Sequence, residues 1–335
     1  MKIGQHDLDK TVLVVAEAGN NHEGDFGRAR EMIARAAQTG ADAIKFQTIV
    51  PEKLVAASET ARLAQLSRFC FDYGQFETLA KCAAQNGILF LSTPFDADSI
   101  AALESFVPAY KIASGDNDCV PLLERVAQTG KPILLSTGML DLNGVVHAKD
   151  VIEKVWRQKK LDPGLALLHC VAAYPTPPSE ANLGAITAMS RLGCTVGYSD
   201  HVLGIEAAVL SIALGARVIE KHFTLDKNQS EFRDHKLSAD PAEFAELVQR
   251  IRHAEELIGD GVKRIMPAEE GSLRGARRSI MAVRDLPAGT VLAKSDLTFL
   301  RPRTGFPPSK ELELIGQRLI KGVQRGEPLL PEHLA

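Results

Sequence analysis

The stretch VLVVAEAGNNHEG, residues 12–24, decides between two folds. It begins as a continuously apolar run, the pattern of a strand buried on both faces, and breaks into a polar turn after Glu17. A doubly wound open sheet would place a phosphate fingerprint here, GxGxxG or GxxxxGK[ST]. The turn AGNNHEG matches neither.

Working outward, similar short runs recur at 43–48, 88–93, 109–114, 133–137, 166–172, 195–199 and 217–223, which makes eight with the first. Helical spacing fills most of the gaps. Ala29, Met32, Ile33, Ala36 and Ala37 make one apolar face; Phe244, Leu247, Val248 and Ile251 make another. Asp240-Pro241-Ala242-Glu243 reads as the N-cap, N1 proline and capping-box acid of that second helix. Eight βα units in sequence predict a (β/α)8 TIM barrel over residues 1–262. The apolar rhythm is lost over 263–276, which reads as a linker. Residues 277–335 form a small β-rich module with an internal echo: Leu286, Gly289, Leu292 and Leu297 are answered by Val323, Gly326, Leu329 and Leu334. So small a module buries little core alone and is expected to lean on the barrel or on a partner chain.

Composition narrows the function. The 335 residues are 45% hydrophobic and 24% charged, with a net charge of -3 and no charge run, so neither nucleic acid nor a membrane surface is an expected partner. No run approaches a transmembrane span, and no signal core precedes Glu17. Five cysteines, odd in number and without a CxxC, fit free thiols in a reducing cytoplasm.

Barrel active sites lie at the C-terminal ends of the strands, and here every strand end is polar. Glu17 closes the first, and Asn20 and Asn21 follow it. Lys45 and Gln47 close the second, Thr93 the third, Lys111 and Ser114 the fourth, Ser136 the fifth. Tyr174 follows the sixth, Ser199 and His201 end the seventh, Glu220 and His222 the eighth. Any one Ser or Thr could be a helix cap. Lysines inside apolar strands are costly unless paired, so Lys45 and Lys111 with Thr93, Ser114 and Ser136 read as a cage for a phosphate or carboxylate. His201 and His222 end neighbouring strands. They read either as two ligands of a divalent metal with open positions or as a hydrogen-bonded structural pair. His169, mid-strand in LLHCV, reads as a satisfied core histidine.

These motifs resemble a known family. NNHEG (20–24), IKFQT (44–48), STPFD (92–96), YKIASGD (110–116), LSTGM (135–139), YPTP (174–177), GYSDH (197–201) and EKHFTLD (220–226) are similar, in this order, to the bacterial sialic acid (N-acetylneuraminate) synthase family. ARRSI (276–280) and the segment near Arg301 resemble its C-terminal antifreeze-like (SAF) domain. The resemblance implies a cytoplasmic transferase that condenses phosphoenolpyruvate with an N-acetylated hexose, open-chain N-acetylmannosamine in the type case, releasing phosphate. It implies Mn2+, or another divalent metal such as Mg2+ or Co2+, on His201 and His222. Lys45, Thr93, Lys111, Ser114, Ser136 and Ser199 would hold phosphoenolpyruvate; Glu17, Tyr174, Glu220 and Asp234 would lie near the reacting sugar. Arg301 would reach the sugar's acyl group from the other subunit of a domain-swapped homodimer. Glu17 and Glu220 are both candidates for proton transfer. Where many such synthases carry Asn in CTxxYP, this chain has Ala172. The stretch SEFRDHKLSADP (230–241) is closer to the branch making legionaminic or related diacetylated acids, or to the spore-coat-polysaccharide homologues. The reading from another class is a non-catalytic sugar-acid-binding barrel.

Overall fold

The computed structural model describes residues 1–335, which divide into two compact units, Met1–Gly259 and Asp260–Ala335. The first opens with a short hairpin, β1 (Lys2–Ile3) and β2 (His6–Asp7). Eight parallel strands follow: β3 (Leu13–Gly19), β4 (Ala43–Thr48), β5 (Leu89–Pro94), β6 (Tyr110–Ile112), β7 (Ile133–Ser136), β8 (Leu165–Cys170), β9 (Thr195–Asp200) and β10 (Val218–His222). They pair in chain order, and β10 closes on β3, with Val218 opposite Leu13 and His222 opposite Glu17. The sheet is a closed barrel, not the open doubly wound alternative.

Alternation along each strand makes two cores. Leu13, Val15, Ala43, Leu91, Leu134, Ala166, Leu168 and Val218 fill the barrel, and Ile3 and Leu8 plug its lower end. Val14, Ile44, Phe46, Tyr110, Leu135, Tyr198 and Ile219 point outward to the helices. Gly197 is needed where the interior is tightest: a Cβ there would lie 2.4 Å from Leu168 Cδ2 and 2.5 Å from the Val218 carbonyl oxygen.

Two expectations need correction. The run 109–114 is extended only over Tyr110–Ile112, because Ser114–Asp116 tightens into a 3-10 turn. Asp240 does cap the helix Pro241–Ile258 through the amides of Ala242 and Glu243. Glu243, however, does not complete a capping box; its carboxylate pairs with Lys227. His169 is buried with Nε2 2.8 Å from the Ala181 carbonyl oxygen, a core histidine as read. All five cysteines are free, and no helix is long and apolar enough to cross a membrane.

In the second unit, the stretch 263–276 is largely exposed and holds a 3-10 turn, Pro267–Glu269, and a helix, Glu270–Ala276. Strands β11 (Ser279–Ala282) and β12 (Leu297–Leu300) pair antiparallel. The sequence echo becomes a pseudo-twofold in the hydrogen bonds. Leu286 and Val323 exchange both N–H···O bonds. Gly289 N–H donates to Leu319 O, and its counterpart Gly326 to Ala282 O. Leu292 donates to Gln317 O, and Leu329 to Ile280 O. Leu286, Leu292, Val323 and Leu329 form the shared core.

Candidate active site

Twelve of the residues singled out in the sequence converge on one cavity of about 210 Å³ at the C-terminal mouth of the barrel: Glu17, Lys45, Thr93, Lys111, Ser114, Ser136, Tyr174, Ser199, His201, Glu220, His222 and Asp234. Arg301 is not among them. It follows β12 in the second unit and is exposed there, whereas the cavity is built entirely from the first unit. A larger cavity of about 700 Å³ opens at the other end of the barrel, beside Met1, Trp156 and Thr195, away from these groups.

One wall holds two buried lysines interleaved with two buried carboxylates. Lys45 Nζ lies 2.7 Å from Glu17 and 3.9 Å from Glu220, and donates to Thr93 Oγ1 at 3.2 Å. Lys111 Nζ lies 3.5 Å from Glu220, which also accepts from Ser199 Oγ at 3.0 Å. Glu17 accepts from Gln47, itself held by Asn20. The lysines are therefore paired, which answers the cost of burying them.

The carboxyls are not equivalent. Burial raises Glu220, but Lys111, Lys45 and the Ser199 hydroxyl overrule it and hold this carboxyl at about 2. For Glu17, burial outweighs Lys45, and the neighbouring Glu220 charge adds to it, so its carboxyl is raised. Of the two, Glu17 binds a proton the more readily. Ser136 Oγ is buried with no partner in the protein, leaving it free for a ligand.

The opposite wall carries the imidazoles, whose ring centroids are 5.4 Å apart. Burial, with His222 beside it, holds His201 down at about 4; burial does the same to His222. Both are neutral at pH 7. His201 Nδ1 lies 2.9 Å from the Val171 carbonyl oxygen, which makes Nδ1 the protonated nitrogen and leaves the Nε2 lone pair free. His222 Nδ1 is buried without a partner. Of the two, His201 is hydrogen-bonded through Nδ1 and His222 is not. Two neutral imidazoles with unused nitrogens fit a divalent ion, and no group of three or more His, Cys, Asp or Glu side chains offers another cage. Tyr174 packs 4.2 Å from the His201 ring, under the Arg233 guanidinium at 4.8 Å.

Sequence reading missed Arg62, Leu66, Phe69, Cys170, Phe232 and Arg233, which also line the cavity. Cys170 ends β8, and a residue count to the strand end would have found it. Arg62 and Leu66 lie on the helix Thr60–Ser67, Phe69 just past its end, Phe232 in the loop after β10 and Arg233 at the start of the helix Arg233–Leu237, where no strand periodicity marks which side chains turn inward.

His22, in the turn that opened the sequence reading, is buried and stacked on Phe71 with centroids 4.4 Å apart. Its Nδ1 accepts from Gly24 N–H, and burial, then the Arg28 charge, holds it at about 4. The unfolded chain takes this proton first, so the stability is full above about pH 6.5 and falls as pH drops toward 4. The slope is about 1.4 kcal/mol per pH unit from this group. Urea unfolding of His22→Gln between pH 6.5 and 5 is expected to show a slope shallower by that amount. An equal slope in both proteins would contradict the assignment.

A closed barrel with buried lysines, carboxylates and two neutral imidazoles at its mouth, followed in the chain by a pseudo-twofold module, is the architecture to set beside known proteins. Residues 32–263 match the NeuB family and residues 277–335 the SAF domain. The chain belongs to the NeuB family. It is 43% identical to an uncharacterised protein of Methanocaldococcus jannaschii, covering 98% of this chain and 97% of that one. It is 39% identical to the N,N'-diacetyllegionaminic acid synthase of Legionella pneumophila, covering 97% and 95%. Among solved structures, the N-acetylneuraminic acid synthetase of Leptospira borgpetersenii, crystallised with citrate, superposes with a TM-score of 0.76 at 33% identity, covering 81% of this chain and 94% of that one.

Proposed function

We propose that the first unit condenses phosphoenolpyruvate with the open-chain aldehyde of an N-acetylated hexose, of the N-acetylmannosamine type, to give a nine-carbon 2-keto sugar acid and inorganic phosphate. The observation that carries this reading is the division of one cavity into a cationic, hydroxyl-rich wall and a wall of neutral imidazoles. Lys45, Lys111, Thr93, Ser114, Ser136 and Ser199 hold the phosphate and carboxylate of phosphoenolpyruvate. Tyr174 and Asp234 border the sugar. C3 of phosphoenolpyruvate forms a bond to the aldehyde carbon, which leaves positive charge at C2. Glu220, ionised, stabilises that charge. Water then adds to C2 and gives one proton to Glu17, which passes it to the alkoxide formed from the aldehyde oxygen; the C2 hydroxyl gives up its second proton to the departing phosphate as the C–O bond breaks, leaving the 2-keto acid. Holding both substrates in register supplies much of the rate. His201 and His222 would hold Mn2+, Mg2+ or Co2+, which when bound supplies a Lewis acid for the aldehyde oxygen.

A diacetamido hexose of the legionaminic, pseudaminic or spore-coat type is the second reading of the sugar. It is favoured by the 39% identity to the Legionella enzyme and by Ala172 in place of Asn. Arg301 from the second unit of a swapped homodimer would bind the acyl group.

The test is phosphate release from phosphoenolpyruvate and Mn2+ with N-acetylmannosamine and diacetamido-dideoxy hexoses as acceptors. Release in step with acceptor is expected, and the acceptor with the highest kcat/KM names the sugar. Arg301→Ala is expected to raise KM for the acceptor alone. Binding of phosphoenolpyruvate without turnover on any acceptor would favour a sugar-acid-binding barrel instead.

A further inference from the structure

The strand ends that deliver Ser199, His201, Glu220 and His222 to the cavity carry a second set of charges on their other face. Asp200 and Lys221 are register partners on β9 and β10. Their side chains point away from the mouth, toward the helices, and both are almost completely buried, at 0% and 1% exposure. Lys221 Nζ lies 2.8 Å from Asp200 Oδ2. The pair does more than cancel charge. Asp200 Oδ1 accepts from the Val202 amide at 2.8 Å, and Lys221 Nζ donates to the Val202 carbonyl oxygen. Both polar groups of Val202 are thus held by one ion pair, and Asp200 and Val202 are the residues on either side of His201. The His201 carbonyl is held as well, accepting from Thr176 N–H at 2.9 Å.

A buried ion pair is a poor source of stability, since apolar residues of similar size often do as well. Its geometry here serves another end. β9 stops at Asp200, and beyond it the backbone has only an isolated parallel bridge between Thr176 and Val202 in place of a continuous ladder. We propose that Asp200 and Lys221 are positioning residues that clamp the 200–202 turn and so fix the direction of the His201 imidazole relative to His222. Neither side chain touches the cavity; both act through the backbone that carries His201. The inference rests on the proposed metal role of the two imidazoles.

The test compares the wild type with Asp200→Leu/Lys221→Met, which removes the pair without leaving a lone buried charge, and with Asp200→Asn/Lys221→Met, which keeps an acceptor for the Val202 amide. Mn2+ affinity is measured by calorimetric titration, and amide exchange over residues 200–203 is measured on the metal-free protein. The Leu/Met protein is expected to fold, to bind Mn2+ about 10- to 100-fold more weakly, and to exchange faster over that turn. The Asn/Met protein is expected to change in the same direction by less, and it carries the test if the Leu/Met protein does not fold. Folded variants that keep wild-type affinity and exchange overturn the clamp and leave the metal site standing. Wild-type protein that takes up no Mn2+ overturns the metal reading, and the clamp's role with it.

Discussion

His201→Ala and His222→Ala are each expected to abolish turnover, lowering phosphate release by about 1,000-fold or more, while the protein stays folded. The size follows from removing one of the two proposed ligands of a Lewis acid, an effect of roughly 4 kcal/mol on the barrier. Folding is spared because neither ring is bonded to a distant element whose position depends on it. His222 Nδ1 has no partner, and His201 meets the Val171 carbonyl, the Cys170 sulfur and the Tyr174 ring, all on the segment that follows β8 or at its end. Phosphate release, the thermal midpoint and far-ultraviolet circular dichroism read the two halves of the expectation. Full activity in either variant would remove the metal assignment.

Lys45→Met separates catalysis from stability. It takes a cation from the proposed phosphoenolpyruvate cage, and phosphate release is expected to fall about 100- to 1,000-fold. It also strips Glu17 of a partner 2.7 Å away inside a buried wall, at a cost of about 3 kcal/mol in urea unfolding. Adding Glu17→Gln removes the stranded charge. The double variant is expected to recover most of the stability and none of the activity. If stability stays low, the Lys45–Glu17 pair is not the source of the cost; if activity returns, Lys45 does not bind substrate.

His201, His222 and Lys45 are all legible in the sequence. Alternation sufficed for that: side chains two apart on a strand share a face, and the one between them faces the other way. The same rule places Ser199 and Glu220 inward and Asp200 and Lys221 outward. Reading failed where the chain leaves the ladder. Arg62, Phe69 and Phe232 enter the cavity from a helix and a loop whose approach depends on packing against other βα units. The capping box expected of Glu243 failed for a similar reason, since Lys227, distant in sequence, competes for the carboxylate.

The sequence by itself determined the eight strands, the order of polar residues along them and the pseudo-symmetric pattern of the second unit. All of these follow from local periodicity, which each segment carries whether or not its neighbours are in place. Only the tertiary structure decided which groups are paired. Lys45 and Lys111 read as part of an anion cage in the chain and are paired with carboxylates in the barrel, and Glu17 and Glu220, alike in the sequence, are shifted in opposite directions. The state of a buried ionisable group is set by what lies within a few ångströms and by the loss of water around it, and closure of the barrel fixes both.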